Sequence, residues 1–301
     1  MTKLPSAGYK AQDRGPLEFE SKLREEKGDI ITLAREEVIT ISPSRSIKDA
    51  SELMVSEGVR RLPIINPGTK KLQGVLVSRD IIDFLGGGEK NNIIKNKHDG
   101  NFLSAINDSV RLIMNPDHAY GTIDLSIAKT AEILIEEGVG GVPILNKEMQ
   151  IKGIITERDF AKYIPSKTQT RVEGHMTKKV TTVTPETTIK DGMKKMISQG
   201  FRRLPVVEDG ELIGIVTSVD VIRYFGSNEV FNHMASGNPE EAMQVEVKEI
   251  MSSNVLTVTP EIDLGEAAKL MAENDYGGLP VLKDNEILGI ITERDLLEIL
   301  A

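Results

Sequence analysis

Four aspartates in this 301-residue chain each stand three residues after a threonine or, once, a valine. The pairs are Val77 and Asp80, Thr156 and Asp159, Thr217 and Asp220, and Thr292 and Asp295. A carboxylate can accept charge-assisted hydrogen bonds from the two neighbouring hydroxyls of a ribose, whereas it repels phosphate. The same Thr-x-x-Asp spacing is a helix-capping pattern with Asp in place of the commoner Glu. The spacing therefore predicts a sugar contact, a helix cap, or both at once.

These aspartates close four copies of one repeat, in which the internal spacing is nearly constant. A proline lies 21 residues after an early Ser or Thr in every copy, from 42 to 63, 122 to 143, 184 to 205 and 259 to 280. The aspartate follows that proline by 17, 16, 15 and 15 residues. The length differences fall between two apolar runs, where a hairpin turn tolerates insertion.

The sequence also has a longer period, which spans two repeats. Repeats one and three contain Arg-Arg-Leu-Pro, whereas repeats two and four contain Gly-Gly followed by Val-Pro or Leu-Pro, and also Thr-Glu-Arg-Asp. The chain is therefore a pair of unequal repeats, duplicated once. A single repeat of about 55 residues buries too little surface to be stable alone. We expect each consecutive pair to form one compact domain with a pseudo-twofold axis.

Local signals in the third repeat predict its secondary structure. Thr184 is a plausible helix N-cap, and Pro185 fits the first helical position. Ile189 and Met193 begin an apolar face that continues at helical spacing. Two apolar runs flank the Asp209-Gly210 turn as strands, and a short helix follows. The predicted order is strand, helix, strand, strand, helix, which gives an α+β fold built from α/β-type repeats.

The composition excludes several classes of protein. The chain is 39% hydrophobic and 28% charged and has no cysteine, so disulfides and thiolate metal sites are excluded. No apolar run approaches the ~20 residues of a membrane span, and we expect a cytoplasmic protein with no membrane association. The net charge of −9 disfavours nucleic acid as a partner. The four histidines lack the spacing of metal ligands.

The repeats resemble the motifs of the cystathionine β-synthase (CBS) family, and the resemblance covers residues from about 30 to 301. The four-motif layout is similar to the gamma subunit of AMP-activated protein kinase and to its archaeal stand-alone relatives. The resemblance implies motifs at 30–90, 107–165, 172–226 and 244–301, packed as two pseudo-twofold pairs (Bateman modules). Segments 91–106 and 227–243 would lie between motifs, and 1–29 would form an arm, either mobile or docked.

The resemblance also implies adenosine sites in clefts between paired motifs. One motif would supply a hydroxyl residue and two apolar residues around adenine, and the partner motif the ribose-binding aspartate. The sites of the second pair would be Thr184, Ile189 and Phe201 with Thr292, Arg294 and Asp295, and Thr259, Leu264 and Tyr276 with Thr217 and Asp220. The sites of the first pair would be Ser42, Ile47 and Val59 with Thr156, Arg158 and Asp159, and Thr122, Ile127 and Val139 with Asp80 and Arg79. Because Val77 replaces a threonine, we expect the Asp80 site to be the weakest or empty.

Arginines are the residues expected to contact phosphate. Arg60 and Arg202 match a phosphate-contacting position of the gamma-subunit family, and Arg79, Arg158 and Arg294 are further candidates. In the strands, one arginine of each Arg-Arg pair could instead point to solvent. Repeats two and four have glycines at the matching position, which would let the backbone approach a ligand.

These implications predict a non-catalytic regulatory protein that binds AMP, ADP or ATP and senses energy charge, with no cofactor and no metal required. S-adenosylmethionine or methylthioadenosine is the alternative ligand, and nucleic-acid binding is a further alternative. No nucleophile, acid and base set emerges, so we expect no enzyme activity. The output would pass through a homodimer or through a partner such as a kinase or metabolic enzyme.

Overall fold

The structure is a computed structural model that describes residues 23, 25–227, 230, 233, 234 and 239–301. Most of the predicted arm over 1–29 lies outside the described residues. So does part of the inter-motif segment 227–243.

The helices recur with the period of the sequence repeat. Each motif has one helix before its hairpin and one after it. In chain order they are α1 (Ile47–Ser56), α2 (Ser78–Ile82), α3 (Asn92–His98), α4 (Phe102–Ile106), α5 (Ile127–Glu136), α6 (Glu157–Phe160), α7 (Ile189–Gln199), α8 (Ser218–Gly226), α9 (Pro239–Met243), α10 (Leu264–Glu273) and α11 (Glu293–Leu300). Single helical turns lie at Asp29–Thr32, Asp83–Gly87, Glu89–Asn91, Val110–Leu112, Ala161–Tyr163, Val172–Gly174 and Val247–Glu249.

Each motif contains one antiparallel hairpin. The strands are β1 (Arg61–Ile65), β2 (Leu72–Val77), β3 (Gly121–Thr122), β4 (Gly141–Leu145), β5 (Ile151–Thr156), β6 (Arg203–Glu208), β7 (Glu211–Thr217), β8 (Gly278–Lys283) and β9 (Glu286–Thr292). The hairpins are β1/β2, β4/β5, β6/β7 and β8/β9. The predicted first strand is short, a parallel two-residue pairing in motif two and a single parallel bridge in the other motifs. The predicted order of elements and the α+β class are confirmed.

The first helix of motif three, α7, starts later in the sequence than predicted. Thr184 does not cap α7, because the cap is Thr188, whose hydroxyl accepts a hydrogen bond from the Asp191 N–H at 3.1 Å. Thr184 instead opens a turn, in which its carbonyl accepts a hydrogen bond from the Thr187 N–H at 3.0 Å. Pro185 is the second residue of this turn, where its fixed φ is favourable. The Thr-Pro pattern therefore marks a turn just before the helix.

A glycine in the last strand of each hairpin marks a close crossing of two chain segments. A Cβ on Gly74 would lie 2.8 Å from the Asn115 carbonyl oxygen, and one on Gly289 would lie 3.0 Å from that of Thr177. Asn115 lies at the start of motif two but pairs with β2 of motif one, and Thr177 lies at the start of motif three but pairs with β9 of motif four. The first segment of one motif thus completes the sheet of another.

The chain divides into two compact units, each made of alternate motifs. The odd unit contains motifs one and three, Ile39–His118 and Thr181–Val255. The even unit contains motifs two and four, Ala119–Val180 and Leu256–Ala301, together with the described residues up to Val38. Packing contacts thus group alternate motifs into one unit.

Helix packing explains why alternate motifs share a unit. In the odd unit, α8 of motif three packs on α1 and α2 of motif one. Buried side chains lie on several faces of α8, among them Val221, Ile222 and Phe225, so one helix contributes to both motifs. In the even unit, α6 packs on α11, with Phe160 and Leu297 fully buried in the shared core. Such burial supplies most of the stabilisation at about 25 cal/mol per Å² of apolar surface.

Across the described part of the chain, each helix falls short of the length and apolarity that crossing a membrane would require.

Candidate ligand-binding site

The four aspartates all act as helix caps through one carboxylate oxygen. Oδ2 of each accepts a hydrogen bond from the backbone N–H three residues earlier, at 2.8 Å for Asp80, 2.7 Å for Asp159, 2.8 Å for Asp220 and 2.9 Å for Asp295. This satisfies an N–H group that the helix start would otherwise leave unpaired. The predicted capping role of the Thr-x-x-Asp pattern is confirmed.

The threonine of each pattern reinforces this cap. Its hydroxyl donates to the same Oδ2 at 2.8 Å in Thr156 and at 2.6 Å in Thr217 and Thr292. Val77 has no hydroxyl, so Asp80 has only the backbone contact from that residue. We call each aspartate with its cap residue a carboxylate half-site.

The other oxygen, Oδ1, has a different neighbour in each half-site. The neighbour is the Lys90 ammonium at 2.5 Å for Asp80, the Arg35 Nε at 3.5 Å for Asp159, the Arg223 Nη1 at 2.9 Å for Asp220 and the Thr177 hydroxyl at 3.4 Å for Asp295. The two arginine side chains are more than half exposed, whereas the exposed fraction of Lys90 is 29%. The cap thus fixes the carboxylate, and Oδ1 is the oxygen left for a second role.

The predicted hydroxyl residues of the other halves open turns of one kind. The carbonyls of Ser42, Thr122, Thr184 and Thr259 each accept a hydrogen bond from the N–H three residues later, at 3.0–3.3 Å. Thr184 and Thr259 are exposed, and Ser42 and Thr122 are half-buried. The Thr122 hydroxyl donates to Asp124, and this bond lowers the pKa of that carboxyl.

The predicted apolar residues fall into two groups. The first residues of the helices are core residues with at most 1% exposure: Ile47, Ile127, Ile189 and Leu264. Their burial gives them a packing role, and a contact with a ligand remains a prediction. The residues after the helices are more accessible: Val59, Val139 and Phe201 are half-buried, and Tyr276 is 45% exposed. An exposed aromatic ring can stack on a base, so the second group suits an adenine better.

Three predicted residues from two different sites come together in the odd unit. Arg79, Phe201 and Arg202 lie close together on one surface, next to Ser218. The Arg79 Nη2 donates to the Ile197 carbonyl at 2.9 Å and is thereby directed along this surface. Two guanidinium groups beside an aromatic ring suit an anionic group on a planar ligand. Arg60 is half-buried and immediately precedes β1.

The arginines of motifs two and four have other partners within the even unit. Arg158 Nε donates to the buried Glu293 at 2.6 Å, and its other nitrogens contact Asp275. Arg294 donates to the carbonyls of Leu134 and Ile135, at 2.8 and 3.0 Å, and is paired with Glu157 and Glu298. Arg294 is nearly buried, and all three of its nitrogens are engaged. This favours a structural role for Arg294 over the predicted phosphate contact.

Glu157 and Glu293 are residues that sequence reasoning missed. They hold matching positions in motifs two and four, and both are at least 96% buried. The serines at this position in the odd unit, Ser78 and Ser218, contact each other through their hydroxyls at 3.2 Å. The signal was present in the sequence, because Thr-Glu-Arg-Asp occurs in motifs two and four alone.

Each predicted adenosine site takes one half from each unit, as with Thr184 in the odd unit and Asp295 in the even unit. The structure establishes the geometry of each half by itself, and their combination remains a prediction. Among the described residues, no cluster of three or more His, Asp or Glu side chains could hold a metal ion.

Comparison with known proteins identifies the family. A model of the CBS domain matches residues 28–87, 110–166, 172–227 and 247–301. Protein MJ1225 of Methanocaldococcus jannaschii is 41% identical over 267 residues, which cover 88% of this chain and 95% of that protein. A 33.4 kDa protein in the ribosomal RNA operon of Thermofilum pendens is 29% identical over 261 residues, 86% of this chain and 87% of its own length.

A solved structure agrees with the sequence matches. The crystal structure of MJ1225, which is described as a candidate archaeal homologue of g-AMPK, covers 90% of this chain and 99% of its own. Its TM-score is 0.86 at 39% identity. The repeats, the hairpins, the capping aspartates and these matches lead to one conclusion: the chain belongs to the CBS domain family, with four CBS motifs.

Proposed function

We propose that this protein is a non-catalytic regulator that binds the adenine nucleotides AMP, ADP and ATP and so senses cellular energy charge. The observation that carries the proposal is the carboxylate half-site. One oxygen of each aspartate is fixed by a helix cap, and the other faces away from that cap. A carboxylate fixed in this way can accept hydrogen bonds from ribose hydroxyls with little further loss of side-chain freedom.

A second observation favours nucleotides over the alternative ligand, S-adenosylmethionine. Arg79 and Arg202 lie beside Phe201 on one surface of the odd unit. Guanidinium groups are attracted more strongly to the several negative charges of a nucleotide's phosphates than to S-adenosylmethionine, which offers them one carboxylate and also carries a positively charged sulfonium. We therefore assign Arg79, Arg202 and Arg60 to phosphate. We leave the ion-paired Arg158 and Arg294 out of the phosphate contacts.

The remaining parts of the proposal concern the context in which the protein works. The ligand would act on a partner, either a second copy of the chain or a kinase or metabolic enzyme, in the cytoplasm. The net charge of −9 supports a protein partner over nucleic acid.

The test is isothermal titration calorimetry of nucleotide-stripped protein with AMP, ADP, ATP, S-adenosylmethionine and methylthioadenosine, with CMP as the control for the base. Micromolar binding of the adenine nucleotides, with no heat from CMP, is expected. Binding confined to S-adenosylmethionine or methylthioadenosine would establish the alternative regulator. Folded protein that binds none of these ligands would refute both assignments. Salt-sensitive binding of DNA or RNA would support the nucleic-acid alternative.

A further inference from the structure

In one carboxylate half-site, a partly buried lysine ammonium lies against the carboxylate. The Lys90 ammonium contacts Oδ1 of Asp80 at 2.5 Å and the Ile113 carbonyl oxygen at 2.7 Å. The Asp80 side chain is 15% exposed, and that of Lys90 is 29% exposed. Two of the three ammonium donors are thus engaged, on a carboxylate that is itself held by the Val77 N–H.

The backbone around Lys90 holds this side chain next to Asp80. After α2 the chain turns through three consecutive glycines, of which Gly86 has a φ of 148°. A Cβ on Gly88 would lie 2.6 Å from Asp83 Oδ1, so a side chain has no room there. The same Asp83 oxygen accepts a hydrogen bond from the Lys90 backbone N–H at 2.8 Å. The glycine run and Asp83 together fix the backbone of Lys90 beside Asp80.

The other half-sites have neighbours that a ligand could displace more easily. Arg35 near Asp159 lies at 3.5 Å with a side chain 55% exposed, and Arg223 near Asp220 is 57% exposed. A long, exposed side chain loses little when it returns to water. Thr177 near Asp295 is uncharged, and its hydroxyl lies at 3.4 Å. At Asp80, by contrast, a mostly buried ammonium lies at close hydrogen-bond distance.

We propose that Lys90 closes the Asp80 half-site by occupying the carboxylate oxygen that a ribose would need. This inference rests on the proposed function, in which Oδ1 of these aspartates receives ribose hydroxyls. A ribose can reach Asp80 only after the ammonium leaves both Asp80 and the Ile113 carbonyl. Val77 adds to the effect, because the half-site lacks the hydroxyl that steadies the other three carboxylates.

The experiment counts the AMP molecules bound per chain at saturation, by calorimetry and by equilibrium dialysis with radiolabelled AMP. The variants are Lys90→Met and Lys90→Gln, which keep most of the length of the side chain but remove the charge. Lys97→Met is the matched control, because Lys97 is also paired with an aspartate, Asp108 at 2.9 Å, but lies away from Asp80. Circular dichroism and a thermal melt establish which variants are folded.

The proposal predicts one additional AMP per chain in a folded Lys90 variant and no additional AMP in Lys97→Met. The double variant Lys90→Met with Asp80→Asn should lose the added site, because the gain depends on the freed carboxylate. An unchanged count in the folded Lys90 variants, while the wild type binds AMP, would overturn the role of Lys90 alone. A wild type that binds no nucleotide would refute the proposed function itself, so the two failures are distinguishable.

Discussion

Arg158 Nε lies 2.6 Å from Oε1 of Glu293, and the equivalent residues Arg294 and Glu157 make the reciprocal contact at 3.4 Å. Motifs two and four therefore exchange ion pairs across the contact of α6 and α11. Both glutamates are buried, and the arginine of each pair compensates its carboxylate for part of the lost hydration. This crossed pair is a specific polar contact between the two motifs of the even unit.

Breaking the crossed pair should destabilise the protein. Glu293→Ala leaves the Arg158 Nε without its buried partner, and we expect a loss of about 2–3 kcal/mol in the free energy of unfolding, since Arg158 keeps its contacts to Asp275. The double variant with Arg158→Ala should lose less than the sum of the single variants. Urea denaturation at neutral pH measures both quantities.

The matched control for this prediction is Glu273→Ala. Glu273 pairs with Lys269 at 3.6 Å in the same unit, and both side chains are more than half exposed. Its removal should change the free energy of unfolding by less than about 0.5 kcal/mol. Additive losses in the Arg158 and Glu293 cycle would show that the two residues contribute independently.

The aspartates of the even unit should contribute to nucleotide binding as well as to capping. Asp159→Ala and Asp295→Ala should each weaken binding at one site by ~1–3 kcal/mol, the range for a hydrogen bond to a charged group. Asp80→Ala should matter least, because Lys90 already occupies that carboxylate. Calorimetry with AMP gives the affinities.

Asp49 provides the control that separates capping from binding. Its Oδ2 accepts the Ser46 N–H at 3.2 Å as a cap of α1, outside the predicted ligand contacts. Asp49→Ala should lower stability without changing nucleotide affinity. If its effect on affinity equals that of Asp295→Ala, the losses come from helix fraying and the ribose assignment is wrong.

Asp263 should make stability depend on acid pH. Burial raises the pKa of this carboxyl, but hydrogen bonds from the backbone N–H groups of Thr168, Gly265 and Gln169 and from the Thr168 hydroxyl outweigh burial and lower the pKa overall. A folded-state pKa below the unfolded value of about 3.9 stabilises the fold above that pH. The contribution disappears as the pH falls through the lowered pKa.

Asp263→Asn measures this contribution directly. The variant should be less stable than the wild type at neutral pH by ~1–3 kcal/mol. The gap should narrow as the pH falls below the ordinary aspartate range, where the wild-type carboxyl also becomes protonated. Unfolding free energies from denaturant titrations across the acid range give the difference, and a gap that is constant with pH would contradict the linkage.

Gly289 should not tolerate a side chain. A Cβ there would lie 2.5 Å from the Met176 sulfur and 3.0 Å from the Thr177 carbonyl oxygen. Gly289→Ala should lower the free energy of unfolding by about 1–3 kcal/mol, the usual result of overpacking. Gly174→Ala is the control. Apart from the residues next to it in sequence, no described residue has an atom within 4 Å of the position that its Cβ would take. Equal melting temperatures for the two variants would contradict the prediction that Gly289 has no room for a side chain.

The repeat pattern predicted the elements well because each signal is local. Thr292 and Asp295 form their cap within a single helical turn, so the spacing of the two residues is sufficient to predict it. The hairpins follow from two apolar runs and a turn. The prediction that Thr184 caps the helix was wrong, because a Thr-Pro turn and a helix start have similar sequences. The actual cap, Thr188, is also a threonine and lies four residues later.

The long-range contacts were harder to predict. Lys90 and Asp80 are ten residues apart with no periodic relation, so no pattern links them. The recurrence of Thr-Glu-Arg-Asp in motifs two and four, however, did indicate one long-range contact. A reciprocal contact requires both partners to carry the same residues, and Glu157 and Glu293 do. The likeness of motifs two and four, taken for a mark of duplication, also reflects their packing in one unit.

The interleaving of the two units sets the order in which they can form during synthesis on the ribosome. The odd unit is complete in sequence once Val255 has been translated. The even unit needs Leu256–Ala301, and the Thr177 N–H has no Ile290 carbonyl to bind until β9 emerges. Residues 119–180 therefore cannot complete their unit when they are synthesised. The apolar surface of motif two stays without its partner in motif four until the last residues are translated, whereas the odd unit can fold earlier.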